Sequence, residues 1–165
     1  MKSTLYRYRI SLGIFIFGLV VSGLTAFPLL RELSILSAAF GIDDPGNYAS
    51  YSGLKHWIAF VHFGLKQTYT SFPFIAYGTD WLAFGHLIIA LFFIGPFMHP
   101  VRNAWVLYCG LMACAAVIVL ALVCGPIRQI PFYWQMIDCS FGIVGSLPLL
   151  YCIFLTLRLR KENSP

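Results

Sequence analysis

Residues 79–98 read TDWLAFGHLIIALFFIGPFM, twenty residues carrying a single carboxylate and a single imidazole. A helix rises 1.5 Å per residue and needs about 20 mostly apolar residues to cross the hydrocarbon of a bilayer. Three more stretches meet that length, at residues 10–30, 104–124 and 132–157. The expectation is an all-α fold, a four-helix transmembrane bundle forming one integral membrane domain over residues 1–165. An interfacial amphipathic helical segment is expected between the first and second spans.

Composition excludes the soluble alternative. The chain is 59% hydrophobic and 10% charged, whereas ordinary soluble domains are about a quarter charged. The formal net charge of +5 does not point to nucleic acid, because no soluble face is available to carry a basic patch. Much of that charge sits at the two ends, on Lys2, Arg7 and Arg9 and on Arg158, Arg160 and Lys161. Arg102 joins them between the second and third spans, while Arg31, Lys55, Lys66 and Arg128 fall on the other side. The positive-inside rule then places both termini in the cytoplasm. The first apolar run is longer than a signal-peptide core and lacks a good cleavage site, so it is expected to remain as a span.

Residues 31–78 form the long outer connection. A short helix is expected over residues 33–40, and a turn at Asp43-Asp44-Pro45-Gly46. Residues 53–68 are amphipathic. Leu54, Trp57, Ile58, Val61 and Leu65 share one face, with Lys55, His62 and Gln67 directed elsewhere. That pattern suits a helix lying in the interface. Tyr69, Phe72, Phe74 and Tyr77 continue as an aromatic belt, and Phe72-Pro73 ends the helix.

The polar residues inside the spans define the candidate site. His86 lies roughly 10 Å below the start of the second span and Asp138 roughly 10 Å below Pro131. Both starts are on the outer side, so a His86–Asp138 contact is expected. Ionisable residues within a span are costly and need partners. Thr79, Ala83, His86 and Ala90 share one helical stripe, as do Gln135, Asp138, Gly142 and Gly145. The third span offers small or medium residues at Gly110, Cys114, Val117, Ala121 and Cys124. At the mouth, Glu32, Asp80, Trp81, Arg128, Trp134 and Gln135 form a second polar layer, in which Arg128 would pair with Asp80 or Glu32.

Chemically, His86 would act as the acid or base and Asp138 as its orienting partner, on a lipophilic small molecule such as a lipid, a sterol-like compound or a quinone. The same pair would equally serve as glue between membrane helices. Three other readings stand beside these. A non-catalytic assembly subunit would use the Gly18/Ser22 or Gly142/Ser146 faces, and a transporter would need oligomerisation. A haem protein would need a second axial histidine, for which His62 is the candidate. No H-x-x-x-H or clustered Cys/His spacing suggests a metal. The five cysteines, Cys109, Cys114, Cys124, Cys139 and Cys152, read as small buried apolar residues, with Cys124 near a helix end. Neither the cofactor nor the oligomeric state is legible, and the partners expected are membrane lipids, a lipophilic ligand and, as an open question, further copies of the chain.

The strings AYGTDWLAFGH, GPFMHPVRNAW and CGPIRQIPFYWQMIDCSFG resemble small uncharacterised multi-pass proteins of bacterial inner membranes. The resemblance covers about the last two-thirds of the chain. It implies four helices and a bacterial membrane location, and it brings no activity.

Overall fold

The computed structural model describes residues 2–162, and all its regular elements are helical. In order they are α1 (Lys2–Ala26), α2 (Leu29–Ala39), a 3-10 turn (Pro45–Ser50), α3 (Gly53–Ser71), a second 3-10 turn (Pro73–Ala76), α4 (Tyr77–Phe92), α5 (Ile94–Met98), α6 (Ala104–Ile127) and α7 (Phe132–Glu162). Four stretches are long and apolar enough to cross a membrane: Lys2–Ala26, Pro73–Met98, Ala104–Ile127 and Phe132–Glu162. The protein is therefore a multi-pass membrane protein.

The helix ends follow from proline chemistry. The first span stops at Ala26, and Pro28 caps the start of α2. Gly95-Pro96 does not end the second span. The ring of Pro96 leaves the carbonyl of Phe92 without its helical donor, and the helix breaks at Phe93 before resuming as α5. Pro148 sits inside α7, which runs on to Glu162, past the expected end at residue 157. The carbonyl of Pro148 accepts a hydrogen bond from the Ser11 hydroxyl at 3.3 Å.

The chain divides into two compact units, Met1–Leu19 with Ile88–Pro165, and Val20–Leu87. In the first, α6 and α7 pack antiparallel at close range. A Cβ on Gly142 would overlap the Cys114 carbonyl oxygen, and one on Gly110 would lie 2.6 Å from the Phe93 ring. Beside this pair, Tyr8, Leu12, Phe93, Leu107, Leu149, Cys152 and Leu155 form the buried core. The Tyr8 hydroxyl donates to the Pro96 carbonyl at 3.1 Å, and Phe15 meets Phe93 edge to face at 4.8 Å. The Thr4 hydroxyl donates to Glu162 at 3.1 Å, which brings the start of α1 and the end of α7 to one level.

The hairpin between α6 and α7 closes α6 with a Schellman pair: Ile130 N–H to Gly125 O and Gln129 N–H to Pro126 O, at 2.9 and 3.2 Å. Its left-handed position is filled by Gln129, with φ +54, where glycine is the usual residue. The same motif ends α2 in the second unit, this time with Gly41 at φ +64 and Ile42 N–H reaching Ser37 O at 2.9 Å. Ile42 then packs with Ile58, Ala59 and Leu36 in a small second core.

Helix α3 departs from the expected face. Ile58 and Val61 are buried, and Trp57 and Leu65 are half-buried, but Leu54 is 42% exposed. His62, expected to point away, is buried with them.

Replacing Gly142 by leucine should force α6 and α7 apart and cost on the order of 1–3 kcal/mol. Gly18→Leu, where a Cβ meets nothing within 4 Å, should leave stability unchanged. Unfolding of the two variants in mixed dodecyl sulfate micelles separates them. In the same assay Gln129→Gly should raise stability by up to about 1 kcal/mol, by relieving the left-handed strain.

Candidate functional site

The eight residues expected to form the site divide between the units. Arg128, Trp134, Gln135 and Asp138 belong to the first, and Glu32, Asp80, Trp81 and His86 to the second.

In the first unit, the α6–α7 contact sets the position of Asp138. Gln135 lies against Gly125, and one turn beyond Asp138, Gly142 lies against Cys114, Val117 and Ile118. Asp138 falls between these contacts on the same stripe of α7, level with the buried Ala121 of α6. It is half-buried and makes no hydrogen bond or ion pair among the described residues. Along that stretch α6 carries no hydroxyl, amide or cationic side chain, and its one polar group is the weak thiol donor of Cys124. Gln135 has a local task, its amide donating to the Ile130 carbonyl at 2.7 Å across the hairpin. Arg128 is exposed at the end of α6, and Trp134 is half-buried in the first turn of α7.

In the second unit, His86 sits on α4 where Gly23 of α1 makes its close approach. A Cβ on Gly23 would lie 2.9 Å from the Ala83 carbonyl oxygen and 3.2 Å from the His86 Cβ. The Nδ1–H of His86 donates to the Leu82 carbonyl at 2.8 Å. That bond puts the proton of a neutral ring on Nδ1, and leaves Nε2 as an acceptor with no protein donor among the described residues. Asp80 is half-buried in the first turn of α4, where a carboxylate is favoured by the helix dipole. Glu32 holds the same position in α2. Trp81 is 58% exposed and meets Tyr77 and Phe84 edge to face at 6.0 and 5.8 Å. Next to Asp80, the Thr79 hydroxyl donates to Ala76 O at 2.7 Å and accepts from Tyr69 at 3.2 Å.

Sequence reasoning missed a second histidine centre. His62 of α3 is buried, with its Nδ1 2.8 Å from the Ser37 hydroxyl and its Nε2 3.3 Å from that of Ser34. The Ser34 hydroxyl gives its only proton to Leu30 O at 2.9 Å, so it must accept from His62. The ring therefore carries its proton on Nε2, and Ser37, only 2% exposed, donates to Nδ1. The signal was present: His62 continues the Ile58, Val61, Leu65 stripe, and Ser34 and Ser37 stand one turn apart on α2. Burial, and then the nearby Lys66 charge, hold the His62 imidazole below its usual pKa. With both nitrogens engaged, His62 could serve as a haem ligand only by breaking this network. His56 is also committed, its Nδ1–H donating to Tyr48 O at 2.9 Å.

Among the described residues, no three His, Cys, Asp or Glu side chains stand together to hold a metal ion. Compared with known proteins, the chain matches no family model, no curated protein and no solved structure.

A histidine that is harder to protonate folded than unfolded makes folding pH-dependent. Above the unfolded pKa of about 6.5, both states are neutral and stability is flat. As pH falls through that value the unfolded chain binds the proton first, and stability drops until the lower folded pKa is passed. Hydrogen exchange of residues 29–39, corrected for intrinsic rate, should show less protection at pH 5.5 than at pH 7.5. In His62→Gln that loss should disappear.

Proposed function

We propose that this protein binds or converts a lipophilic small molecule within the membrane, with Asp138 supplying the carboxyl and His86 the acid or base. In this reading the four long helices form a bundle in a bacterial inner membrane, both termini are cytoplasmic, and α3 lies in the outer interface. Arg128, Trp134 and Gln135, with Glu32, Asp80 and Trp81, would line the entrance.

The observation that carries the reading is the carboxyl of Asp138. A charged aspartate at the centre of a span costs about 2.5–3.5 kcal/mol on insertion scales. The hydroxyls on α7 satisfy themselves locally: Ser140 donates to Ile137 O at 2.6 Å, and Ser146 to Ile143 O at 2.7 Å. Asp138 has no such outlet, since an ionised carboxylate offers no proton to a backbone carbonyl. A carboxyl that serves only as helix glue would need a good donor on the helix it packs against, and along this stretch α6 offers only the weak thiol of Cys124. The acceptor nitrogen of His86 is the second polar atom of this kind. A hydroxyl on an otherwise apolar molecule could donate to either acceptor, one proton to each.

The alternative is a non-catalytic assembly subunit, in which a partner helix provides the donor for Asp138.

The test is gentle purification of the full chain, with mass spectrometry of its organic extract and an absorption spectrum. A stoichiometric lipophile is expected, and its retention should fall at least about tenfold in Asp138→Asn and in His86→Ala, equivalent to ~1.4 kcal/mol. Each variant should stay helical and monodisperse. An extract without a bound molecule, or equal retention by both variants, would refute the reading. Co-purification of a second protein that is lost in Asp138→Asn would establish the assembly role instead.

A further inference from the structure

The first unit carries a basic end. Lys2, Arg7, Arg9, Arg158, Arg160 and Lys161 lie on the first turns of α1 and the last turns of α7, which the Thr4–Glu162 hydrogen bond brings level. Glu162 is the only carboxylate on either segment.

Two of these cations are engaged with aromatic faces. The Arg9 guanidinium stands 5.9 Å from the Phe97 ring centroid, and that of Arg158 stands 4.2 Å from Phe154. Arg7 is different. It is exposed and has no ring, carboxylate or hydrogen-bond partner among the described residues.

Arg7 also stands at the head of a groove. An open cavity of about 370 Å³ is lined by Arg7, Ile10, Ser11 and Ile14 of α1 and by Tyr151 of α7. The α1 positions follow i, i+3, i+4, i+7, so they form one stripe running roughly 10 Å along the helix. Ser11 spends its proton on the Pro148 carbonyl, leaving the floor apolar. Ile10, Ile14 and Tyr151 remain exposed along it, Ile14 by 64%. The groove therefore presents a guanidinium at the level of the chain ends and an apolar track toward the middle of the span. A phenol flanks the track.

The geometry points to a binding site for one anionic phospholipid. Its phosphate lies on Arg7, one acyl chain runs along Ile10 and Ile14, and the Tyr151 hydroxyl donates to an ester carbonyl. Charge complementarity selects the occupant: a basic end with a single carboxylate disfavours a cationic partner. A planar guanidinium with no protein acceptor matches a phosphate by paired hydrogen bonds. The site is separate from Asp138 and does not rest on the function proposed above.

The test uses the full chain in micelles holding equal amounts of palmitoyl-oleoyl phosphatidylglycerol and phosphatidylcholine, read by native mass spectrometry. The wild-type protein should retain the glycerol lipid about fivefold over the choline lipid, the scale of one cation near a headgroup. Arg7→Gln should bring the ratio near one, while Arg102→Gln, which removes a cation outside the groove, should leave it unchanged. Ile14→Trp fills the track at an exposed position. It should reduce retention of the anionic lipid even if Arg7→Gln does not fold. Equal retention of the two lipids by the wild type would overturn the proposal. So would equal loss in Arg7→Gln and Arg102→Gln, which would mean a diffuse field and no site.

Discussion

The close approach of α6 and α7 at Gly142 is the contact on which the first unit depends. Inside a bilayer, lipid tails are as apolar as leucine, so burial of apolar surface cannot drive one helix onto another. What remains is dispersion between backbones that come near enough, and that requires positions without side chains. Gly142 admits the Cys114 carbonyl, and Gly110 admits the Phe93 ring and Leu149. The seat at Gly110 in turn lets Phe93 enter the core with Tyr8, Leu12 and Leu107. The break in the helix at Phe93, forced by Pro96, and the glycine on α6 are thus two parts of one arrangement.

Polar groups in the spans fall into two kinds. Most serine and threonine hydroxyls find a carbonyl three or four residues back in their own helix, as Thr156 does in Cys152 O at 2.9 Å, while Ser11 and Tyr8 reach carbonyls of other helices. Groups without a partner among the described residues stand out: the carboxyl of Asp138, the Nε2 of His86 and the guanidinium of Arg7. Each would be stabilised by a polar atom from outside its own helix. In the readings proposed above, the two groups deeper in the spans receive a proton from a lipophile, and the one near the chain end holds a headgroup. His62 shows the opposite case, a buried ring whose two nitrogens are both satisfied by serines, as expected of a group that fixes structure.

Much of the architecture was legible in the residues. Four apolar runs became four long helices, and Pro28, Pro73 and the Asp43–Gly46 turn marked boundaries where helices end or restart. The misreadings were local. The span was expected as one unbroken helix to residue 98, but Pro96 breaks it at Phe93 before it resumes to Met98. His62 was turned outward by its polarity, although its spacing placed it on the apolar stripe. Its two serine partners, more than twenty residues away, were what made burial tolerable. Gln129 gave no sign that it occupies a left-handed position, because that follows from the hydrogen bonds closing α6.

The sequence by itself determined that the chain is helical and crosses the membrane. Length and apolarity suffice for that, since an unpaired backbone cannot stay in hydrocarbon. It also marked Asp138 and His86 as ionisable residues within the apolar runs, because position in a run is a matter of counting. Only the tertiary structure decided which glycines are contacts and which are bare. Gly142 touches a carbonyl while Gly18 meets nothing, and no feature of either residue predicts the difference. The same holds for the cations: Arg7, Arg9 and Arg158 are alike in composition and depth, and only the placement of Phe97 and Phe154 leaves the first without a partner. The Arg158–Phe154 pair is local, four residues apart on α7, but Gly142 against Cys114 and Arg9 against Phe97 join segments far apart in the chain, which no local pattern encodes.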